Sequence, residues 1–140
     1  MTDARSEVRR KPDRGSTDPG QVEGILDAAL VCHVGFVVDD QPYVIPMTFA
    51  RDGDTLLLHG SPASRMLRRF DGTAEACVEV TILDGLVLAR SAFNSSMNYR
   101  SLMVFGTALA VTDEAAYRPA LGKLGNSCKS CHQDYRRPKQ

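Results

Sequence analysis

The sequence predicts a mainly β protein of about six antiparallel strands with short flanking helices. Three observations carry this expectation. Val78, Val80 and Ile82 alternate with Glu79 and Thr81, the period of a strand with one buried face. Apolar runs are separated by polar turns only a few residues long, which suits antiparallel meanders. The helical patterns are short and lie outside these runs.

Met1 to Thr17 is polar and carries proline, and is expected to form a mobile arm lying on a partner surface or on the barrel. Asp18-Pro19 is a helix start, with an N-cap acceptor followed by proline at the first helical position. Val22, Ile25, Leu26, Ala29 and Leu30 follow at helical spacing. Val31 to Val38 reads as the first strand and Asp39-Asp40-Gln41 as its turn. Gln41 to Ala50 reads as the second strand, with Pro42 and Pro46 restricting it to an edge or bulged position. Arg51-Asp52-Gly53-Asp54 is a hairpin turn before a third strand, Thr55 to His59.

Ser61 is placed to cap a helix, Pro62 suits its first position, and Met66, Leu67 and Phe70 supply an apolar stripe. A strand-to-helix turn of this kind leaves backbone N–H groups unpaired. With Ser61, Ser64 and Arg65 beside them, these form either a phosphate cradle or an ordinary capped helix with a solvated arginine. From Val78 to Gly106 the pattern gives two or three strands. Asp84-Gly85 reads as a turn, Leu86 to Ala89 as a restart, Phe93 to Asn98 as a polar connection, and Tyr99 to Thr107 as the last strand. Thr112-Asp113-Glu114 opens a helix that Pro119 breaks or kinks, and a second helix is expected between Ser127 and Arg137.

Composition narrows the function classes. Apolar residues make up 43% and charged residues 24%, an ordinary globular balance. Lysine plus arginine equals aspartate plus glutamate at 17 each, so net charge gives no case for nucleic acid or an acidic membrane. No apolar run is long enough to span a bilayer. The charged N-terminus lacks the apolar core of a secretory signal, which makes the cytoplasm the expected location. The four cysteines then read as reduced thiols or a cofactor motif. Cys32 and Cys77 sit among apolar neighbours and read as structural, as does His33 on an alternating strand. Tyr43 reads as a packing residue.

VTILDGLVLARSAF, followed by SMNYRS and MVFG, resembles the pyridoxamine 5′-phosphate oxidase-like flavoproteins, in the branch that includes nitroimidazole-reductase-type proteins. The resemblance covers about Val8 to Pro119, with a flavin-binding domain expected over 18–119. It implies an FMN-binding split β-barrel, C-terminally shortened. It also implies a homodimer with the flavin in a groove at the interface, acting as an oxidoreductase on a small molecule or as a flavin carrier without turnover. Carried onto matching positions, Pro46, Met47 and Thr48 would pass along the isoalloxazine ring and ribityl chain. His59, Gly60, Ser61, Ser64 and Arg65 would surround the phosphate. Arginine suits phosphate because its planar fork donates paired hydrogen bonds. Asn98, Tyr99, Arg100 and Ser101 match a motif near the flavin or the facing subunit. Blander roles stand beside these: His59 as a half-exposed hydrogen-bonding residue, and Arg100 as an inter-strand ion-pair partner. The branch often carries a histidine pair after Ala92-Phe93. Here the positions are Asn94 and Ser95, which can hydrogen-bond but cannot shuttle protons near neutral pH.

The tail, 120–140, is basic and carries Cys128-Lys129-Ser130-Cys131-His132, the pattern of covalent haem c attachment. Cys128 and Cys131 would form thioethers, and His132 would be the iron ligand. The surroundings are similar to the last helix of cytochromes c′. Against haem stand the lack of a helical bundle and the expected cytoplasmic location. A basic helix with two exposed thiols is the equal alternative. A zinc site is less suited, because Cys131 and His132 are neighbours that cannot easily face one tetrahedral ion. A thiol-redox pair would lack its usual βαβ setting.

Overall fold

The computed structural model describes residues 4–61, 63–70, 73–111, 115 and 118–126. The chain forms helix α1 (Pro19–Ala28), strands β1 (Cys32–Val38), β2 (Gln41–Met47), β3 (Phe49–Asp52) and β4 (Thr55–Leu58), a short helix α2 (Arg65–Arg69), and two long strands, β5 (Thr73–Val87) and β6 (Ser96–Leu109). A four-stranded antiparallel sheet has the order β2-β1-β5-β6, and β3 and β4 form a separate hairpin. This is the mainly antiparallel β architecture, with short helices, that the sequence predicts, and it is consistent with a split barrel.

Helix α1 starts where expected: the Asp18 carboxylate accepts the Gln21 N–H at 3.0 Å, with Pro19 behind it. The turn after β1 holds Asp39 and Asp40 at φ 49° and 61°, the left-handed pair that a two-residue hairpin favours. Strand β2 is an edge strand, as its prolines require.

The predicted strand over Gln41 to Ala50 is in fact two strands. Met47 ends the pairing with β1 opposite Cys32, and Phe49 begins pairing with Leu58 of β4. The chain changes sheets at Thr48, so one apolar run serves both. Gly53 closes the β3–β4 hairpin at φ 57°, a conformation that glycine adopts without a Cβ clash.

Asp84-Gly85 is a bulge, not a turn. Leu83 pairs with Tyr99 and Gly85 with Asn98, leaving Asp84 as the extra residue inside one continuous strand. Arg100 on β6 grips the Asp84 carboxylate in a fork, with Nε–Oδ2 at 3.0 Å and Nη2–Oδ1 at 2.8 Å. Pairing along the whole of β6 outweighs the local turn preference of the dipeptide. Strand β5 also starts at Thr73, five residues before the predicted alternation, because Thr73 to Cys77 find partners from Leu109 back to Phe105.

Alternation gives the large sheet two distinct faces. Cys32, Val34 and Phe36 of β1 and Ala74, Val78 and Val80 of β5 point inward. They meet Leu26 of α1, Phe49 of β3, and Met66 and Phe70 of α2 in one core. Val34 and Val80 are fully buried, each worth about 1.5–3 kcal/mol in apolar transfer. Residues 118–126 are helical through Pro119, and Leu124 is buried. The helix therefore does not break at Pro119, and its expected opening at Thr112-Asp113-Glu114 lies outside the described residues. The helix expected from Ser127 to Arg137 lies outside the described residues.

The outward face bears His33, Val37, Val44, Cys77, Glu79, Met103 and Phe105. Near the N-terminus, Arg5 pairs with Glu75 at 3.1 Å and lies over the Phe105 ring at 5.4 Å, so this part of the predicted arm rests on that face. Beyond the part of β5 that pairs with β1, β5 and β6 continue as a two-stranded arm. A short turn over Ala92–Asn94 closes it, and Ser95 Oγ accepts the Ala89 N–H at 3.3 Å. Asn94 and Ser95 thus serve the arm's tip.

Candidate functional site

The residues expected at a flavin fall into two groups. The first is gathered at one end of β2. Pro46 and Met47 close that strand opposite His33 and Cys32. Thr48 is the corner residue between the sheets. His59, Gly60 and Ser61 form the loop after β4. A Cβ placed on Gly60 would lie 3.9 Å from Met47 Cε and 3.6 Å from Leu67 Cδ1, so this loop packs between β2 and α2.

The cap of α2 is Ser64, not Ser61. Ser64 Oγ accepts the Leu67 N–H at 3.1 Å. Ser61 Oγ instead accepts the Ala63 N–H at 3.3 Å, and its carbonyl accepts the Ser64 N–H at 2.9 Å. The Ser61–Ser64 hydrogen bond delays the helix. Each serine accepts with its oxygen and keeps its O–H to donate.

Arg65 is the first residue of α2. Its guanidinium lies over the Tyr43 ring at 4.6 Å, and no acidic partner engages it among the described residues. Arg69, four residues on, donates Nε–H to the Val37 carbonyl at 3.1 Å and ties α2 to β1. Pro46, His59, Ser61 and Arg65 are all exposed, so the group lies on an open surface. This donor set fits an anionic phosphate: one guanidinium that no described carboxylate engages and two hydroxyls, with apolar Met47 and Leu67 nearby.

The second group, Asn98, Tyr99, Arg100 and Ser101, lies on the arm. These residues pair with Gly85, Leu83, Ile82 and Thr81. Three strand spacings, about 14 Å, separate β6 from β2 across the sheet, so the structure does not join the two groups within one chain. Arg100 is committed to Asp84, as the plainer alternative for that residue anticipated. Its guanidinium holds the Asp84 carboxyl below the usual carboxylate range, chiefly through the hydrogen bonds.

Tyr43, read from the sequence as a packing residue, and Asp84, read as part of a turn, are the residues whose arginine partners sequence reasoning missed. No local signal marks Tyr43, because its arginine comes from a distant segment. Asp84 was masked by its turn-like neighbour Gly85.

Two other features resemble sites but are already satisfied. A cleft of about 340 Å³ is lined by Leu26, Asp27, Phe49, Arg51 and Lys123. Arg51 forks Asp27 at 2.8 and 2.7 Å, which lowers the Asp27 pKa, and Lys123 pairs with Asp52. On the outward sheet face, His33 Nδ1 lies 3.2 Å from Glu79 Oε2, a cross-strand pair. A larger cleft of about 490 Å³ lies along the N-terminal segment and includes none of the predicted flavin residues.

Burial pushes the Cys32 thiol up to about 11, and it also raises Cys77, so both behave as structural thiols. Among the described residues no group of His, Cys, Asp and Glu could hold a metal ion, and no helix is long and apolar enough to cross a membrane. Cys128, Cys131 and His132 lie outside the described residues.

Comparison with known proteins follows the same lines. The family model described as pyridoxamine 5′-phosphate oxidase matches residues 18–139, past the Pro119 limit of the resemblance. No curated protein matches the chain. Among solved structures, an FAD- and haem-binding protein from Mycobacterium smegmatis is 37% identical over 89% of this chain and 60% of its own, with a TM-score of 0.75. The flavocytochrome Anf3 from Azotobacter vinelandii is 35% identical over 99% of this chain and 64% of its own, with a TM-score of 0.81. A candidate 5-nitroimidazole antibiotic resistance protein from Bacteroides thetaiotaomicron is 27% identical over 89% of this chain and 70% of its own, with a TM-score of 0.64. The chain therefore spans less than two thirds of the first two structures it matches. Sequence pattern, sheet order and family match agree: this chain belongs to the pyridoxamine 5′-phosphate oxidase family.

Proposed function

We propose that this protein binds a flavin nucleotide, FMN in the first instance, and acts as an oxidoreductase on a small molecule in the cytoplasm. The observation that carries this is the packing of the Gly60 loop between Met47 at the end of β2 and Leu67 of α2, with an Arg65 fork that meets no carboxylate among the described residues. Pro46, Met47 and Thr48 would line the ring and ribityl side. Ser61, Ser64 and Arg65 would hold the phosphate, with His59 and Gly60 shaping the loop. When bound, a flavin supplies the hydride and electron chemistry. The protein's own residues bind it, orient it and set the polarity around it.

A homodimer belongs to the same proposal. The arm exposes Leu88 at 83% and Phe93 at 96%, together with Leu86, Met97 and Tyr99. Such side chains call for a covering surface. A second copy could also bring Asn98, Tyr99 and Ser101 to the first group, which one chain does not do.

Arg65→Ala should weaken FMN binding by about 1.5–3 kcal/mol, the range of a hydrogen bond to a charged group. Unchanged affinity in a fluorescence titration would remove Arg65 from the site. Chromatography of the released cofactor separates FMN from FAD, and sedimentation analysis reports the dimer.

A second reading is favoured by two neighbours, described as FAD- and haem-binding and as a flavocytochrome, and by the Cys128–His132 motif. Here the tail would carry haem c and transfer electrons. An absorption band of haem that survives denaturation would support it. Flavin bands alone would leave the oxidoreductase, or a flavin carrier without turnover.

A further inference from the structure

We propose that Tyr43 is a positioning residue: its ring holds the Arg65 guanidinium ready for a flavin phosphate and so makes the protein select phosphorylated flavins over riboflavin. The inference rests on the flavin reading above and goes beyond it in naming what sets the preference.

An aromatic ladder runs from the core to the arginine. Phe70 meets the edge of Phe36, with centroids 5.8 Å apart and planes at 68°. Phe36 stacks on Tyr43 at 5.6 Å and 21°. Tyr43 lies beneath Arg65 at 4.6 Å. Phe70 caps the C-terminal end of α2, and Arg65 opens it. The ladder therefore holds both ends of this short helix against β1 and β2, with its inner rungs buried.

The chemistry follows from guanidinium geometry. All five N–H donors lie in its plane. A ring against one face attracts the cation through its quadrupole and uses none of those donors. Arg51 and Arg100 have their forks filled by Asp27 and Asp84, and Arg69 donates to a carbonyl. Arg65 has a ring beneath it and, among the described residues, no carboxylate or carbonyl on its fork. Holding an otherwise mobile side chain in place lowers the ordering cost of binding, so the gain goes to whatever contacts the fork. Riboflavin shares the ring system and ribityl chain of FMN but lacks the phosphate. Only FMN should register the loss of the platform.

The test uses full-length protein stripped of flavin and titrated with FMN and with riboflavin by fluorescence. Tyr43→Leu should bind FMN about three- to five-fold more weakly, with riboflavin affinity unchanged. Tyr43→Phe keeps the ring and should retain the wild-type ratio. In an Arg65→Ala background, Tyr43→Leu should cost FMN nothing further. Parallel weakening of both flavins in Tyr43→Leu would show a ring that merely packs, and would overturn the inference. So would a wild type that binds FMN and riboflavin with equal affinity. A wild type that binds neither flavin would overturn the flavin reading itself, and this inference with it.

Discussion

Phe36 is the rung on which the architecture and the candidate site both depend. It is 4% exposed, on the inward face of β1, between Tyr43 and Phe70. Two substitutions separate its roles. Phe36→Ala removes the ring and leaves a cavity, at a cost of about 3–5 kcal/mol. A domain of this size has on the order of 5–15 kcal/mol of stability in total, so the variant should be substantially destabilised. Phe36→Leu keeps most of the apolar volume and removes only the two ring–ring contacts. At about 0.5–1.5 kcal/mol per aromatic pair, the loss should be about 1–3 kcal/mol. Urea unfolding followed by intrinsic tyrosine fluorescence gives both values, provided the denaturant slope is unchanged. The leucine variant should lie clearly between wild type and alanine. A leucine variant as stable as wild type would show that the stacked geometry contributes nothing beyond apolar burial. An alanine variant within about 1 kcal/mol of wild type would show that Phe36 does not sit in a packed core.

Other expectations are simpler. Asp18→Ala deletes the cap on Gln21 N–H and should lower stability by about 0.5–2 kcal/mol in a thermal melt, while Asp18→Ser should restore most of it. With its pKa raised to about 11 and its side chain buried, Cys32 should resist iodoacetamide at mildly alkaline pH until the protein unfolds. Peptide mass spectrometry reads this, and rapid native labelling would contradict the burial. Asp84 has a depressed pKa in the fold, so the folded state takes up that proton at lower pH than the unfolded chain does. Its contribution is complete above the ordinary carboxylate value, about 4, and is lost as pH falls through the folded value. Asp84→Asn should flatten that part of the acid limb; an acid limb identical to wild type would remove the linkage.

Local chemistry made much of the fold legible. Asp18-Pro19 marked the helix start because a cap and a proline act on their own neighbours. The prolines at 42 and 46 marked β2 as an edge because neither has an N–H for an inner ladder. What escaped was decided by distant partners. Asp84-Gly85 has turn chemistry, but the register with Tyr99 and Asn98 makes it a bulge. Ser61 has cap chemistry, but the path of the loop gives the cap to Ser64. Thr48 carries no mark of the sheet change. At the site, the pairing of Arg100 with Asp84 and the seating of Arg65 on Tyr43 join residues 16 and 22 positions apart, beyond the reach of any short motif.

The edge strand β2 also determines where the sheet can grow. Opposite β1, Pro42, Val44 and Pro46 pair with Val37, Gly35 and His33. Prolines cannot donate to that ladder, so these three positions present their outer edge to solvent. Of the three donors an incoming strand would seek there, two do not exist, and only the Val44 N–H remains. A foreign β-segment would find carbonyls without their complementary amides, a poor template for extension. The exposed apolar side chains of Val44 and Val37 lie nearby, yet backbone zippering along this border is blocked. Contacts made by this side of the protein must therefore use side chains on a face, which can be shaped and released, in place of an open-ended ladder that tends toward fibres.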